Sequence, residues 1–372
     1  MKRLLSIYIL GHIFTLQLWS YHLQTHDNDT VTEKHTKDNF SQTLSDGIDE
    51  MKRKIRELDS YDTNYIEPNK FNYSAMLQNT NYWQHYTLRA QNELGNEQSI
   101  NISPRPAIKV GPYFGWRWLF LGYTFDVDNM GRATGNTEFT LSLYSAKIGG
   151  DIMYIRNKGD FKIGEVKGFS GVPNKAYSGV DFDGMKSYST MVNVYYVFNH
   201  RRFSYPAAYA QSTIQRISAG SFILGLRYDH HTIDFDHDRL PTGLQVNSEG
   251  EPLLFHTMKL DKVHYYNAGI SLGYAYNWVI TRNLLFNISI MPSLGYKKTK
   301  GEPWDKKVLL NDVKTLNIDF TSRAALVWNN SRWYAGTSFI NYVYGYNRTY
   351  FNFRNSISYL NFYFGVNFMR KK

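Results

Sequence analysis

Tyr359-Leu360-Asn361-Phe362-Tyr363-Phe364-Gly365-Val366-Asn367-Phe368 is the stretch that decides the fold. Leu360, Phe362, Phe364, Val366 and Phe368 fall on one side of an extended chain, and Asn361, Tyr363, Gly365 and Asn367 on the other. Successive side chains of a strand point to opposite faces. This alternation therefore sets one face against hydrocarbon and the other toward a wet interior. A terminal strand closing on Phe is also what outer-membrane insertion machinery reads, although Met369-Arg370-Lys371-Lys372 follow it here.

One strand of a soluble sandwich can alternate in this way, so recurrence carries the weight. Phe286, Ile288, Ile290, Pro292 and Leu294 alternate with Asn287, Ser289, Met291, Ser293 and Gly295. Ile270, Leu272, Tyr274, Tyr276 and Trp278 alternate with Ser271, Gly273, Ala275 and Asn277. The same holds for Leu316–Leu326, Val192–Phe198 and Leu119–Asp126. The polar faces are rich in Asn, Ser, Gly and Thr, which suits a lumen and not the packed core between two sheets. The links support the same reading. Ile280–Asn283 and Trp328–Arg332 are tight turns, whereas Asp128–Asn136, Lys158–Lys186, Thr232–Asp261 and Lys298–Lys314 are long and polar. Short periplasmic turns and long external loops alternate in this manner in outer-membrane barrels. The expected fold is all-β, a transmembrane antiparallel β-barrel of about 12 strands, with about 10 or 14 as alternatives. Its first strands are expected near Tyr82–Arg89 and Ile100–Tyr113, the second interrupted by Pro104 and Pro106, with Phe71–Asn79 as an extra candidate.

Composition narrows the function classes. With no cysteine there is no disulfide, thiolate metal site, thiol nucleophile or acylated Cys. The net charge of +10 is scattered, which argues against nucleic acid and suits anionic lipopolysaccharide beside outer-membrane lipid. The 30 Tyr suit interfacial girdles. At the N-terminus, Lys2 and Arg3 precede an apolar run from Leu4 to Phe14, so residues 1–23 read as a secretory signal peptide. Leu18-Trp19-Ser20 is a poor cleavage site, which leaves a retained anchor as the alternative. Residues 24–60 read as a polar periplasmic lead-in and 61–368 as the barrel domain, placing the protein in the outer membrane.

Several strings go beyond periodicity. They include Tyr61-Asp62-Thr63-Asn64-Tyr65-Ile66-Glu67-Pro68, Gly111-Pro112-Tyr113-Phe114-Gly115-Trp116-Arg117-Trp118 and Phe198-Asn199-His200-Arg201-Arg202-Phe203-Ser204-Tyr205-Pro206. Gly273-Tyr274-Ala275-Tyr276-Asn277-Trp278 and Trp328-Asn329-Asn330-Ser331-Arg332-Trp333 complete the set. Together they resemble an uncharacterised outer-membrane β-barrel family of Bacteroides-type bacteria, a domain of unknown function. The resemblance spans about residues 61–368. It implies fold and location, and supplies no catalytic residue and no cofactor.

Parity places Lys109, Asp126, Glu138, Asp151, Arg227, Asp229, Asp319 and Arg323 in the lumen. Charges of both signs there line a narrow passage for small polar solutes, or pair and plug it; pairing is favoured. The segment from Tyr228 to Asp238 gathers His230, His231, His237 and four Asp, but neighbouring His230 and His231 point to opposite faces. A solvated loop is favoured there over a metal site. On the periplasmic side, His200, Arg201 and Arg202 form either a docking site for a periplasmic protein partner or a plug meeting rim carbonyls and acids, and the plug is favoured. A lipid hydrolase is the minor alternative, using His200 with Ser204 or His264 with a neighbouring serine.

Overall fold

The computed structural model describes residues 60–116, 119–128, 136–259, 262–300, 316–347 and 351–371. The signal peptide and nearly all of the lead-in expected from the sequence lie outside these residues. In chain order the strands are β1 (Ile66–Pro68), β2 (Phe71–Gln91), β3 (Glu97–Pro104), β4 (Ala107–Trp116), β5 (Leu119–Gly122), β6 (Phe125–Asp126), β7 (Thr137–Tyr144), β8 (Ile148–Asn157) and β9 (Phe161–Lys167). They continue with β10 (Asp181–Phe182), β11 (Met185–Val197), β12 (Thr213–Gln215), β13 (Ala219–Phe235), β14 (Lys262–Thr281), β15 (Leu284–Lys300), β16 (Leu316–Asn329), β17 (Trp333–Asn347) and β18 (Phe351–Arg370). A short helix, α1 (Tyr205–Tyr209), lies between β11 and β12.

The main sheet closes on itself. β2 pairs with β18 along its length and with β4 over its inner half. From β4 the antiparallel pairings pass through β5 and β6, then β7, β8, β11, β13, β14, β15, β16 and β17 to β18. β5 and β6 keep one register against β4 and act as a single strand. The described residues thus trace a ring of twelve strands, its thinnest joint the single Leu119–Leu143 register pair between β5 and β7. Carrying the register of Asn81 once round the ring displaces it by about 14 residues, a stagger that tilts twelve strands by roughly 40°.

The alternation of the terminal strand is realised directly. Phe362 and Phe364 are exposed on the outside of β18, whereas Tyr363 and Asn367 are buried inside. β14 behaves likewise, with Ile270, Leu272, Tyr274, Tyr276 and Trp278 exposed and Ser271, Ala275 and Asn277 buried. At the short-turn end, Trp278, Trp328 and Trp333 form an outward aromatic rim, and Trp333 stacks on Phe364 at 5.5 Å.

Three expectations need correction. Phe71–Asn79 and Tyr82–Arg89 are one 21-residue strand, β2. Asn79 and Asn81 do not end it, because their amides bond to Lys109 O and Leu360 O on the flanking strands. Next, the strand expected over Ile100–Tyr113 is divided at Pro104-Arg105-Pro106 into β3 and β4. The prolines remove ladder donors, and β3 pairs with the outer half of β2 on one edge and with β9 on the other, β9 carrying β10 on its far edge. Last, tyrosine is not mainly a girdle residue. Tyr82, Tyr86, Tyr144, Tyr195, Tyr265 and Tyr342 are all buried inside.

Two of the long links at the outer end, 158–186 and 232–261, are not free loops. Phe161, Ile163 and Val166 of β9, with Phe169 and Phe182, pack against the mouth residues Ile233, Phe235, Tyr265, Tyr346 and Phe353. Leu240, Leu244, Leu254 and Met258, from the segment joining β13 and β14, complete the same cluster. An apolar dome therefore covers the outer opening. Of the other long links, 129–135 and 301–315 lie outside the described residues.

Candidate functional site

The lumen holds two buried charge networks. Arg323 on β16 donates to Asp151 on β8 at 2.5 Å, with the Tyr144 and Tyr342 hydroxyls at 3.4 and 3.5 Å and the Tyr195 ring beneath the guanidinium. Ser142 donates to the second oxygen of Asp151 at 2.8 Å. Arg227 lies 3.6 Å from Asp229 and 3.7 Å from Asp319, donates to Thr321, and covers the Tyr344 ring. Asp319 also accepts from Asn267, Asn317 and the Gly345 backbone, and pairs with Lys297 at 3.5 Å. Buried charges are tolerated only when paired and hydrogen-bonded, and each of these three acids and three bases has an ionic partner and a hydrogen bond. Lys109 pairs with Glu138, and Asp126 sits opposite Lys109 in the register.

Lys297 belongs to the network and sequence reasoning missed it. The alternation expected over Phe286–Gly295 continues in the same parity, through Met291, Ser293 and Gly295 to Lys297.

The periplasmic opening is filled by the segment that follows β11. Ser204 caps α1, its hydroxyl accepting from the Ala207 amide at 3.2 Å. Pro206 in the first turn suits that position, because its missing N–H has no intrahelical partner to lose. Lumen asparagines then hold the helix in place. Asn277 donates to Ser204 O, Asn287 accepts from Tyr209, and the Tyr205 hydroxyl meets Ser289 at 2.5 Å. After α1 the chain forms β12, which pairs with β1. Arg216 binds Glu67 and donates to Arg282 O at 2.6 Å on the rim. Burial raises the Glu67 carboxyl, but hydrogen bonds and charge from Lys70 and Arg216 outweigh it and hold the group below its usual value.

The periplasmic residues expected to meet acids and carbonyls are only partly so placed. Arg201 and Arg202 have exposed side chains, Arg202 lying over the Tyr65 ring at 5.0 Å. Arg216 makes the rim contacts instead. His200 is half-buried, and burial, followed by the Lys147 ammonium, lowers its basicity. The serine–histidine arrangements expected as alternatives are otherwise engaged. Ser204 Oγ meets Thr213, and His264 Nδ1 meets Thr232 at 2.8 Å.

His230 and His231 part as strand geometry requires. His231 faces inward beside Ser189 and stacks on Tyr265, whereas His230 faces outward and stacks on Tyr266. Among the described residues no group of three or more His, Asp or Glu side chains is placed to hold a metal ion.

A closed antiparallel ring with an apolar exterior band and a polar interior defines an integral β-barrel of the outer membrane. The chain belongs to the domain-of-unknown-function family DUF4421, whose model matches residues 60–368. No curated protein matches the sequence. Among solved structures, the Escherichia coli outer membrane protease OmpT is similar at 6% identity and a TM-score of 0.38, covering 81% of this chain and 98% of that one. The Pseudomonas aeruginosa outer membrane protein OprG gives 9% identity and a TM-score of 0.24 over 81% and 98%. The Pseudomonas putida toluene transporter TodX gives 9% and 0.23 over 81% and 91%.

Proposed function

We propose that this protein is an occluded outer-membrane barrel acting through its surfaces, as a structural or interaction component. The observation that carries the reading is the internal pairing of the lumen charges, Arg323 with Asp151 and Arg227 with Asp229 and Asp319. A narrow passage for polar solutes needs charges facing water along a continuous path. Here α1 lies across the inner end and the apolar dome across the outer. The lipid-hydrolase reading through His200 with Ser204 or His264 with a neighbouring serine draws no support, because the side chains of Ser204 and His264 meet Thr213 and Thr232 instead. On the periplasmic side the exposed Arg201 and Arg202 offer a basic surface suited to an acidic protein partner.

Liposome swelling tests the proposal. Vesicles carrying the folded protein are expected to swell no faster in small sugars or amino acids than protein-free vesicles. Swelling that scales with protein content would overturn the reading.

A further inference from the structure

We propose that the outward-facing rim of β8, β11, β13, β14 and β15 binds the phosphate groups of an outer-leaflet glycolipid. The depth of the patch comes first. On β14 the exposed apolar series runs from Trp278 to Ile270, and Ala268 follows as the next outward residue. Ten residues at about 3.3 Å each, tilted by roughly 40°, cover about 25 Å, the height of the lipid-facing band of such barrels. The next outward positions on β14 are Tyr266, His264 and Lys262, so the change of character falls where hydrocarbon gives way to headgroups.

The register gathers partners of one kind around them. Tyr266 lies between His230 on β13 and Lys298 on β15. His264 lies beside Thr232, which faces Tyr188, which in turn faces Arg156 on β8. Lys262 and Lys186 flank Asp234, the one carboxylate among these positions. The rings are ordered against one another: His230 stacks on Tyr266 at 4.4 Å and lies 6.3 Å from His264, and Arg156 covers Tyr188 at 5.7 Å. Lys186, Lys262 and Lys298 are exposed. Four cations and two imidazoles thus face one carboxylate at headgroup depth. A phosphate monoester accepts several charge-assisted hydrogen bonds from such a set, and flat tyrosine and histidine faces suit the sugar rings that carry the phosphates. The inference rests on the membrane placement of the barrel and is independent of whether the lumen is occluded.

The test offers purified, full-length protein in detergent three lipids: bis-phosphorylated lipid A, the same lipid stripped of its phosphates, and phosphatidylglycerol. Bound lipid is read by native mass spectrometry. The wild type is expected to retain the bis-phosphorylated form roughly tenfold over either of the others. The variant carrying Lys262→Gln, His264→Gln and Lys298→Gln loses that preference, and its fold is checked by heat-modifiable migration. Arg89→Gln with Arg354→Gln, exposed on β2 and β18, keeps it. Equal retention of phosphorylated and stripped lipid A by the wild type overturns the proposal, as does equal retention of phosphatidylglycerol. An unchanged preference in the folded triple variant overturns it too. The wild-type comparison decides alone should that variant not fold.

Discussion

Arg323 and Asp151 illustrate what one residue's parity reveals and what it hides. Alternation along a strand is a local property, so Arg323, Asp151, Arg227, Asp229 and Asp319 can be assigned to the interior from sequence alone. Which of them meet cannot, because Arg323 and Asp151 lie 172 residues apart and touch only once the ring has closed. Lys297 is legible by the same parity, two positions beyond Gly295 on the same strand. Replacing Arg323 with Met strands a carboxylate in the lumen and is expected to cost roughly 3–5 kcal/mol in urea unfolding in micelles. Adding Asp151→Leu is expected to recover most of that loss. A further single-residue effect concerns pH. The Glu67 carboxyl is held below the unfolded value of about 4.3. Its contribution is therefore complete above that value and is lost as pH falls through the lower, folded one. Hydrogen exchange of the β1–β12 amides, corrected for intrinsic rate, should show protection falling below about pH 4 in the wild type. Glu67→Gln should be flat over the same range.

At the scale of elements, the strands with lipid on one side and asparagine or serine on the other were the readable ones, because two solvents impose two compositions. β14, β15 and β18 are of this kind. The elements that fill the interior were not readable. α1 has five residues, too few to show a helical period, and its environment is supplied by Asn277, Asn287 and Ser289 on distant strands. β9 and β10 look like a polar loop because β9 carries Lys162, Glu165 and Lys167 outward while Phe161, Ile163 and Val166 enter the dome. The plug can be probed chemically, since the chain has no cysteine. Ser289→Cys, buried behind Tyr205, is expected to resist a water-soluble maleimide in the folded protein. Replacing Phe203–Gln211 with a Gly/Ser linker should make the same thiol react readily. Equal labelling in both backgrounds would show that α1 does not seal the floor.

The whole molecule is a wall whose exterior was predictable and an interior that was not. A twelve-strand ring has room for side chains from both sides plus a short inserted segment, and tyrosine supplies much of that filling. The 30 Tyr in the sequence announce aromatic abundance, but period-two alternation alone does not say which face carries them at each height. The closed ring predicts heat-modifiable migration, with the unboiled protein running ahead of the boiled form; identical mobility would deny a barrel. Occlusion is the more exacting claim, and single-channel recording in planar bilayers addresses it most directly. The folded wild-type protein is expected to insert and remain electrically silent. Discrete, reproducible conductance steps from that protein would contradict the account.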